Sequence, residues 1–207
     1  MSSTVTPAPG AAPAQEQESS HGLVATQAPR IAIEAVTPSL DQGRFAAKAI
    51  VDEPVTVKAT IFADGHDVLA AAVCWYDDNG QQQRETMRQV EPLGLDIWEG
   101  SFIPHRVGRH SFIIEAWWDT YSTYCYELTK KHQAGVPIAL ELEEGRQLIE
   151  HAAERSEGAL NEALAALHKQ LEQAGHDSDR VALLLSSDTA RLMHEADTRP
   201  HLTRSDE

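Results

Sequence analysis

The chain has 207 residues, enough for one or two domains whose hydrophobic core needs no disulfide or metal. Hydrophobic residues make up 42% and charged residues 24% of the sequence, close to the averages of soluble globular proteins, which excludes a globally disordered chain. The 32 acidic residues outnumber the 17 Lys and Arg residues, and the net charge of −15 disfavours nucleic acid and membrane lipid as partners.

The first 29 residues contain four prolines and no aromatic residue, and we predict a disordered tail over residues 1–29. The longest continuous apolar run, residues 68–76, is far shorter than a membrane-spanning helix. No basic segment opens the sequence, since the first Lys or Arg is Arg30, so we predict no signal peptide and a cytoplasmic location. Cys74 and Cys125 are then expected to be reduced core residues.

The next part of the chain has the pattern of β-strands. All twelve aromatic residues lie between Phe45 and Tyr126, and apolar residues alternate with polar ones, as in strands with one buried face. Six strands are predicted, at residues 31–33, 55–61, 68–76, 84–90, 98–102 and 112–118. Short turns without intervening helices join them, which predicts an antiparallel β-sandwich over residues 30–122.

After Ser122 the apolar period becomes helical. We predict a short helix that ends at Gly135 and Pro137, followed by three further helices. These are Glu143–Arg155, a helix from Ser156 to Gly175 with a stripe of leucines, and Asp179–Ala196. Residues 123–207 are therefore expected to form a small helical bundle with an acidic surface, and the fold class is α+β.

Motifs that would indicate catalysis are missing from the sequence. We find no His-Glu-x-x-His, Cys-x-x-Cys, Gly-x-Ser-x-Gly or phosphate-binding glycine loop. Asp64, His66 and Asp67 crowd one turn and could bind a cation, but acidic turn residues usually bond to their own backbone. The sequence predicts no catalytic residue, no metal and no cofactor.

Five aromatic residues crowd the end of the last predicted strand: Trp117, Trp118, Tyr121, Tyr124 and Tyr126. Alternation places only some of them in the core, and exposed aromatic rings can stack on sugars or anchor a partner. Trp118, Tyr121 and Tyr124 are therefore the candidate surface residues for substrate binding. The alternative, which we favour, is that these rings join the sandwich to the helical bundle.

Seven segments occur in an order that is specific as a set: Arg30–Pro38, Gly43–Phe45, Phe62–Ala71, Trp98–Phe102, Gly108–Arg109, Glu115–Asp119 and Glu127–Lys131. They resemble the N-terminal domain of the maltosyltransferases that extend α-1,4-glucan from maltose 1-phosphate. The resemblance runs from about Arg30 to about Arg204. Tyr124-Cys125-Tyr126 departs from the usual Trp-containing turn of this family, which affects local packing only.

The resemblance implies an immunoglobulin-like β-sandwich with the helices inserted in it, so that a closing strand is expected to be missing and a sheet edge exposed. It also implies membership in the α-amylase superfamily, glycoside hydrolase family 13. In that family a (β/α)₈ barrel carries an Asp nucleophile and a Glu acid/base, and maltosyl transfer to the non-reducing end of the glucan retains configuration.

We expect the catalytic barrel to be absent from this chain. The chain would then act as a scaffold and homodimerisation part that is inactive alone, and the parent would bind glucan and maltose 1-phosphate through the barrel. The alternative is a free-standing glucan-binding or protein-interaction module; an independent enzyme is the least supported hypothesis.

Overall fold

The computed structural model describes residues 31–205, apart from residues 42, 78, 92 and 93. The strands in this part of the chain are β1 (Ile31–Thr37), β2 (Val55–Ala63), β3 (Leu69–Tyr76), β4 (Gln82–Gln89), β5 (Ile97–Phe102), β6 (Ser111–Trp118) and β7 (Thr203–Arg204). The helices are α1 (Thr120–Gln133), α2 (Ala139–Arg155), α3 (Gly158–Gln173), α4 (Asp177–Leu184) and α5 (Ser187–Glu195). The predicted tail, residues 1–29, lies outside the described residues.

The seven strands form one antiparallel sheet in the order β1-β2-β5-β4-β3-β6-β7. The link between its two halves is short, because β4 pairs with β3 over six residues but with β5 only at Arg88 and Gln89. An antiparallel sheet combined with a separate set of helices confirms the α+β prediction.

The sheet has its own hydrophobic core. In β2 the alternation predicts the buried side correctly, since Val57, Ala59 and Ile61 are at most 2% exposed. Strand β3, between β4 and β6, is buried on both faces, which accounts for its nearly continuous apolar sequence. In this core Trp75 stacks on Phe102, with ring centroids 4.9 Å apart.

The helices enclose a second core. Leu128, Ile149, Leu164 and Leu184 are completely buried there, and burial of each such side chain contributes about 2 kcal/mol. The predicted leucine stripe of α3 supplies part of this core, and its polar face is exposed. Within the described residues, no helix is both long and apolar enough to cross a membrane.

The predicted helix Asp179–Ala196 is two helices in the structure, α4 and α5. Ser186 caps α5, since its Oγ accepts the Thr189 N–H at 3.2 Å. The hydroxyl of Thr189 in turn donates to the Leu183 carbonyl at 2.8 Å. These side-chain bonds end one helix and begin the next, although the apolar residues continue through the break.

The last described residues return to the sheet and are not part of the helical bundle. After α5, residues 196–202 form a connection, here called the return segment, and β7 then pairs with β6 through Thr203 and Arg204. The N–H of Ser205 donates to the Ile114 carbonyl at 2.9 Å, and the Ser205 hydroxyl accepts the Ile114 N–H. From the sequence we expect a missing closing strand and an exposed sheet edge. In the structure, β7 pairs with β6 at Glu115 and Ala116, so β6 is not an exposed edge at these two residues.

Candidate functional site

The aromatic segment, Trp117–Tyr126, joins the end of β6 to the first half of α1. Asp119 starts the helix, because its two carboxylate oxygens accept the N–H and the hydroxyl of Ser122 at 2.8 and 2.7 Å. The Val68 N–H donates to the Thr123 hydroxyl at 2.8 Å, and the Asp119 N–H donates to the Val68 carbonyl. Hydrogen bonds to the residue just before β3 therefore fix the start of α1.

Tyr121 and Tyr124 lie in the helical core, only 8% and 4% exposed. Their hydroxyls donate to backbone carbonyls, Tyr121 to Leu184 at 2.7 Å and Tyr124 to Glu141 at 3.0 Å. Burial raises the pKa of both phenols. The expectation that these two rings are surface residues for sugar stacking is therefore wrong, because α1 points both rings at α2 and α4.

Trp118 is partly buried and joins the sheet to the return segment. Its ring packs against the core of the sheet, and its centroid lies 4.3 Å from that of His201. The backbone N–H of Trp118 donates to the Pro200 carbonyl at 3.1 Å. Tyr126 is the most exposed member of the aromatic segment, at 56%, with the Lys130 ammonium 5.3 Å from its ring centroid.

An ionic cluster around one buried carboxylate lies on the face of β6 opposite Trp118. The Glu115 cluster consists of Glu115 on β6, Arg84 on β4, Arg199 in the return segment and Arg204 on β7. Glu115 is 1% exposed. Its Oε2 bonds to Nη2 of Arg84 and lies 3.8 Å from Nη1 of Arg199, and its Oε1 accepts from Nε of Arg204 at 2.9 Å.

The charge of Glu115 depends on these arginines. Burial alone would raise the pKa of this carboxyl, but the hydrogen bond from Arg204 and the charge of Arg84 hold the pKa below its usual value. Arg84 also donates from Nε to the Cys74 sulfur at 3.3 Å. One ionised carboxylate thus connects two sheet strands to the short strand that follows the helices.

Trp117 fixes the return segment next to this cluster. Its indole Nε1 donates to Asp197 at 2.5 Å, and the other Asp197 oxygen accepts the Arg199 N–H at 2.9 Å. The Arg199 guanidinium lies 5.3 Å from the Trp117 ring centroid, within range of a cation–π contact. Trp117 and Trp118 therefore contact the return segment, whereas Tyr121 and Tyr124 lie in the helical core, and a role of these rings in joining the sandwich to the bundle stays a prediction.

The Glu115 cluster is not among the predicted sites, although the sequence contains one signal of it. Glu115 interrupts the otherwise apolar stretch of residues 112–118, and strand alternation places it with Ile113 and Trp117 on the face away from the sheet core. A carboxylate at such a position needs a cationic partner if it is buried. Nothing in the local sequence indicates which arginines supply the charge.

A surface cavity of about 450 Å³ lies beside α1 and is lined in part by Asp119, Cys125 and His194. These residue types occur together in some nucleophilic sites. Burial, however, raises the pKa of the Cys125 thiol to about 11. The hydrogen bond with Tyr121 lowers this pKa, but by less than burial raises it. The thiolate is therefore scarce at neutral pH, and Cys125 is not an activated nucleophile.

The turn formed by Asp64, His66 and Asp67 is exposed. His105 pairs with Asp52 at 2.9 Å. In the part of the chain that the structure describes, no three His, Cys, Asp or Glu side chains are placed to hold a metal ion.

Comparison with known proteins places this arrangement in a family. A family model described as α-1,4-glucan:maltose-1-phosphate maltosyltransferase, domain N/S, matches residues 29–207. The chain belongs to this family. The resemblance predicted from the sequence is therefore confirmed, and the match includes the sheet, the helices and β7 together.

Several curated relatives carry the name α-1,4-glucan:maltose-1-phosphate maltosyltransferase. The protein from Pseudomonas aeruginosa is 39% identical over 188 residues, which cover 89% of this chain and 28% of the relative. The protein from Burkholderia pseudomallei is 42% identical over 160 residues, which cover 75% of this chain and 14% of the relative. The N/S chain thus spans less than a third of the length of these relatives.

Proposed function

We propose that this chain is the N/S portion of a maltosyltransferase that moves maltosyl units from maltose 1-phosphate to the non-reducing end of α-1,4-glucans with retention of configuration. The family match over residues 29–207 carries this proposal. In the proposal the chain is a scaffold without catalytic residues. The acid, base and nucleophile of the reaction belong to another part of the parent protein.

The contacts of the reactive side chains support a scaffold role. Glu115 is bonded to arginines, and Tyr121 and Tyr124 are bonded to backbone carbonyls in the helical core. A retaining transferase of this class needs two carboxyl groups about 5 Å apart beside a sugar site. The buried carboxylate of Glu115, next to its arginines, does not have the raised pKa that a general acid requires.

A chimera tests the proposal most directly. Residues 29–207 would replace the matching segment of the Pseudomonas aeruginosa relative, and phosphate release from maltose 1-phosphate would be measured with a maltooligosaccharide acceptor. We expect the chimera to release phosphate and the 207-residue chain alone to release none. Release by the chain alone, or a soluble chimera without activity, would contradict the proposal; the unmodified relative is the positive control.

We further propose that the sheet is an immunoglobulin-like sandwich, with β1, β2 and β5 in one layer and β4, β3, β6 and β7 in the other. Phe102 on β5 and Phe112 on β6 support it, since their ring centroids lie 6.1 Å apart although the two strands do not pair. The helices from Thr120 to Glu195 would form the inserted part between β6 and β7.

Assembly and location are part of the same proposal. A cytoplasmic homodimer would use exposed apolar side chains such as Phe45, Ile50 and Leu140, which are 62%, 63% and 75% exposed. The free thiols of Cys74 and Cys125 are compatible with a reducing compartment. The molar mass measured by light scattering tests the dimer, and the mass of a single chain would contradict it.

A glucan-binding role for the aromatic segment is the weaker alternative, because sugar stacking needs an open aromatic face and two of its three candidates are buried. Titration of maltoheptaose, followed by tryptophan fluorescence, should therefore show no saturable change. Trp118→Phe is the matched variant, since it keeps an aromatic ring at this position. A saturable signal that this variant removes would favour a binding module.

A further inference from the structure

The Glu115 cluster brings more positive charge together than its carboxylate can neutralise. Arg84, Arg199 and Arg204 come from three different parts of the fold and are all within 4.0 Å of the two oxygens of Glu115. Asp197 is a second carboxylate in contact with this group, but it accepts the backbone N–H of Arg199 and not a guanidinium N–H. The three guanidinium groups pair with one carboxylate, Glu115, and even when Asp197 is counted they leave an excess of one positive charge, in a chain whose net charge is −15.

The three arginines are accessible from solvent. Their side chains are 32%, 35% and 61% exposed for Arg84, Arg199 and Arg204, whereas Glu115 beneath them is 1% exposed. A buried carboxylate thus holds the guanidinium groups together from below and leaves their outer sides open. Mutual repulsion would otherwise separate three cations at this distance.

Several donors of the cluster remain available. Arg204 bonds to Glu115 through Nε, and Arg199 approaches it through Nη1 alone. Toward the described residues of the chain, the two terminal nitrogens of Arg204 and Nη2 of Arg199 make no hydrogen bond or ion pair. These planar N–H groups match the oxygens of phosphate in pairs, which a lysine ammonium cannot do.

We propose that the Glu115 cluster is a binding site for a phosphate-type oxyanion, either inorganic phosphate or the phosphoryl group of a phosphate monoester. The anion receives hydrogen bonds from the outer N–H groups of Arg199 and Arg204, with Arg84 adding charge. Glu115 remains in place and positions the three arginines. Binding would also fasten the return segment and β7 to the sheet. This inference does not depend on the proposed function.

Calorimetric titration of the 207-residue chain with inorganic phosphate tests the site. Sodium chloride keeps the ionic strength constant, and the titration extends to about 20 mM, which would saturate a site with a dissociation constant of about 1 mM. We expect saturable binding of one phosphate per chain. Glucose 1-phosphate is titrated in parallel: equal affinity means that the phosphoryl group alone is recognised, and tighter binding means that the site takes a monoester.

Two variants locate the binding. Arg199→Gln and Arg204→Gln should each weaken phosphate binding at least about tenfold, because each removes one charged donor group. Arg204→Lys keeps the charge but not the paired donors and should bind with intermediate affinity. The matched control is Arg191→Gln, which removes an exposed arginine on α5 that pairs with Glu195 outside the cluster; its affinity should equal that of the unmodified chain.

The proposal has clear negative outcomes. It is overturned if no saturable heat is seen for either phosphate compound, or if Arg199→Gln and Arg204→Gln both bind as tightly as the unmodified chain. Circular dichroism checks that the variants are folded. Should one glutamine variant fail to fold, the other variant and Arg204→Lys still decide the result, since both keep Glu115 paired with at least one other arginine.

Discussion

Replacing Gly145 with alanine should lower the free energy of unfolding by about 3 kcal/mol. Gly145 lies on α2 where α1 and α4 approach it. A Cβ atom there would lie 2.1 Å from the Tyr124 hydroxyl and 2.9 Å from Cδ2 of Leu184. Relief of these overlaps must separate the helices and displace Tyr124 from its hydrogen bond to the Glu141 carbonyl.

The sign of this change distinguishes packing from helix propensity. In an exposed helix, alanine is more favourable than glycine by about 1 kcal/mol, so propensity alone would predict stabilisation. Urea unfolding followed by far-ultraviolet circular dichroism measures the difference. Gly175→Ala is the control, because a Cβ there meets no atom within 4 Å. A Gly145→Ala variant as stable as the unmodified chain would show that the helices pack less closely.

The strands were predictable because their signal is local. Five of the six long strands contain an apolar pattern that burial then follows, as at Val57, Ala59 and Ile61, whereas β4 has Met87 as its only apolar residue. β7 contains only Thr203 and Arg204, which is too short for any period. Its position follows from pairing with β6, a contact that sequence patterns cannot specify.

The burial of Tyr121 and Tyr124 can be predicted only if helical spacing, and not strand alternation, is applied to residues 120–128. The predicted strand ends at Trp118 and the predicted helical period begins after Ser122, whereas α1 already begins at Thr120. Counted by helical spacing, Tyr121, Tyr124 and Leu128 lie on one face, and all three are buried. The prediction therefore lacked the early start of α1 at Thr120. Asp119 could have indicated this start, because Asp is a common residue just before the first residue of a helix.

The Glu115 cluster was not predictable from local sequence. Glu115 meets Arg84 across 31 positions and Arg204 across 89 positions of the chain. The second contact exists only because five helices separate β6 from β7 and the return segment brings the chain back. The contacts of Glu115 with Arg84 and Arg204 depend on which strands lie beside β6 in the sheet. Alternation along β6 identifies only the face of the strand on which Glu115 lies.

Replacing Glu115 with glutamine should lower the free energy of unfolding at neutral pH by about 3 kcal/mol. Glutamine has nearly the same shape, but it leaves Arg84, Arg199 and Arg204 close together without their common anion. The change is costly because Glu115 is the buried anion between these guanidinium groups, which then repel one another at short distance. Amide exchange of Ser205, which bonds to Ile114, should become faster as β7 loosens.

The difference in the free energy of unfolding between the unmodified chain and the Glu115→Gln variant should depend on pH. The pKa of Glu115 is lowered in the folded state, so its contribution to stability is complete above the unfolded value of about 4.3. It is lost as the pH falls through the lowered value, since the protonated carboxyl then resembles glutamine. Unfolding curves of both proteins should therefore converge toward acid pH.

Glu99→Gln is the matched control for this experiment. Glu99 also lies on a strand and contacts two cations, Lys58 at 3.0 Å and Arg88 at 3.8 Å, but its side chain is 25% exposed. Water already solvates this carboxylate, so its loss should change stability little. If Glu115→Gln changed stability no more than Glu99→Gln, or if its effect were the same at every pH, the ionised carboxylate would not be what fastens β7 and the return segment to the sheet.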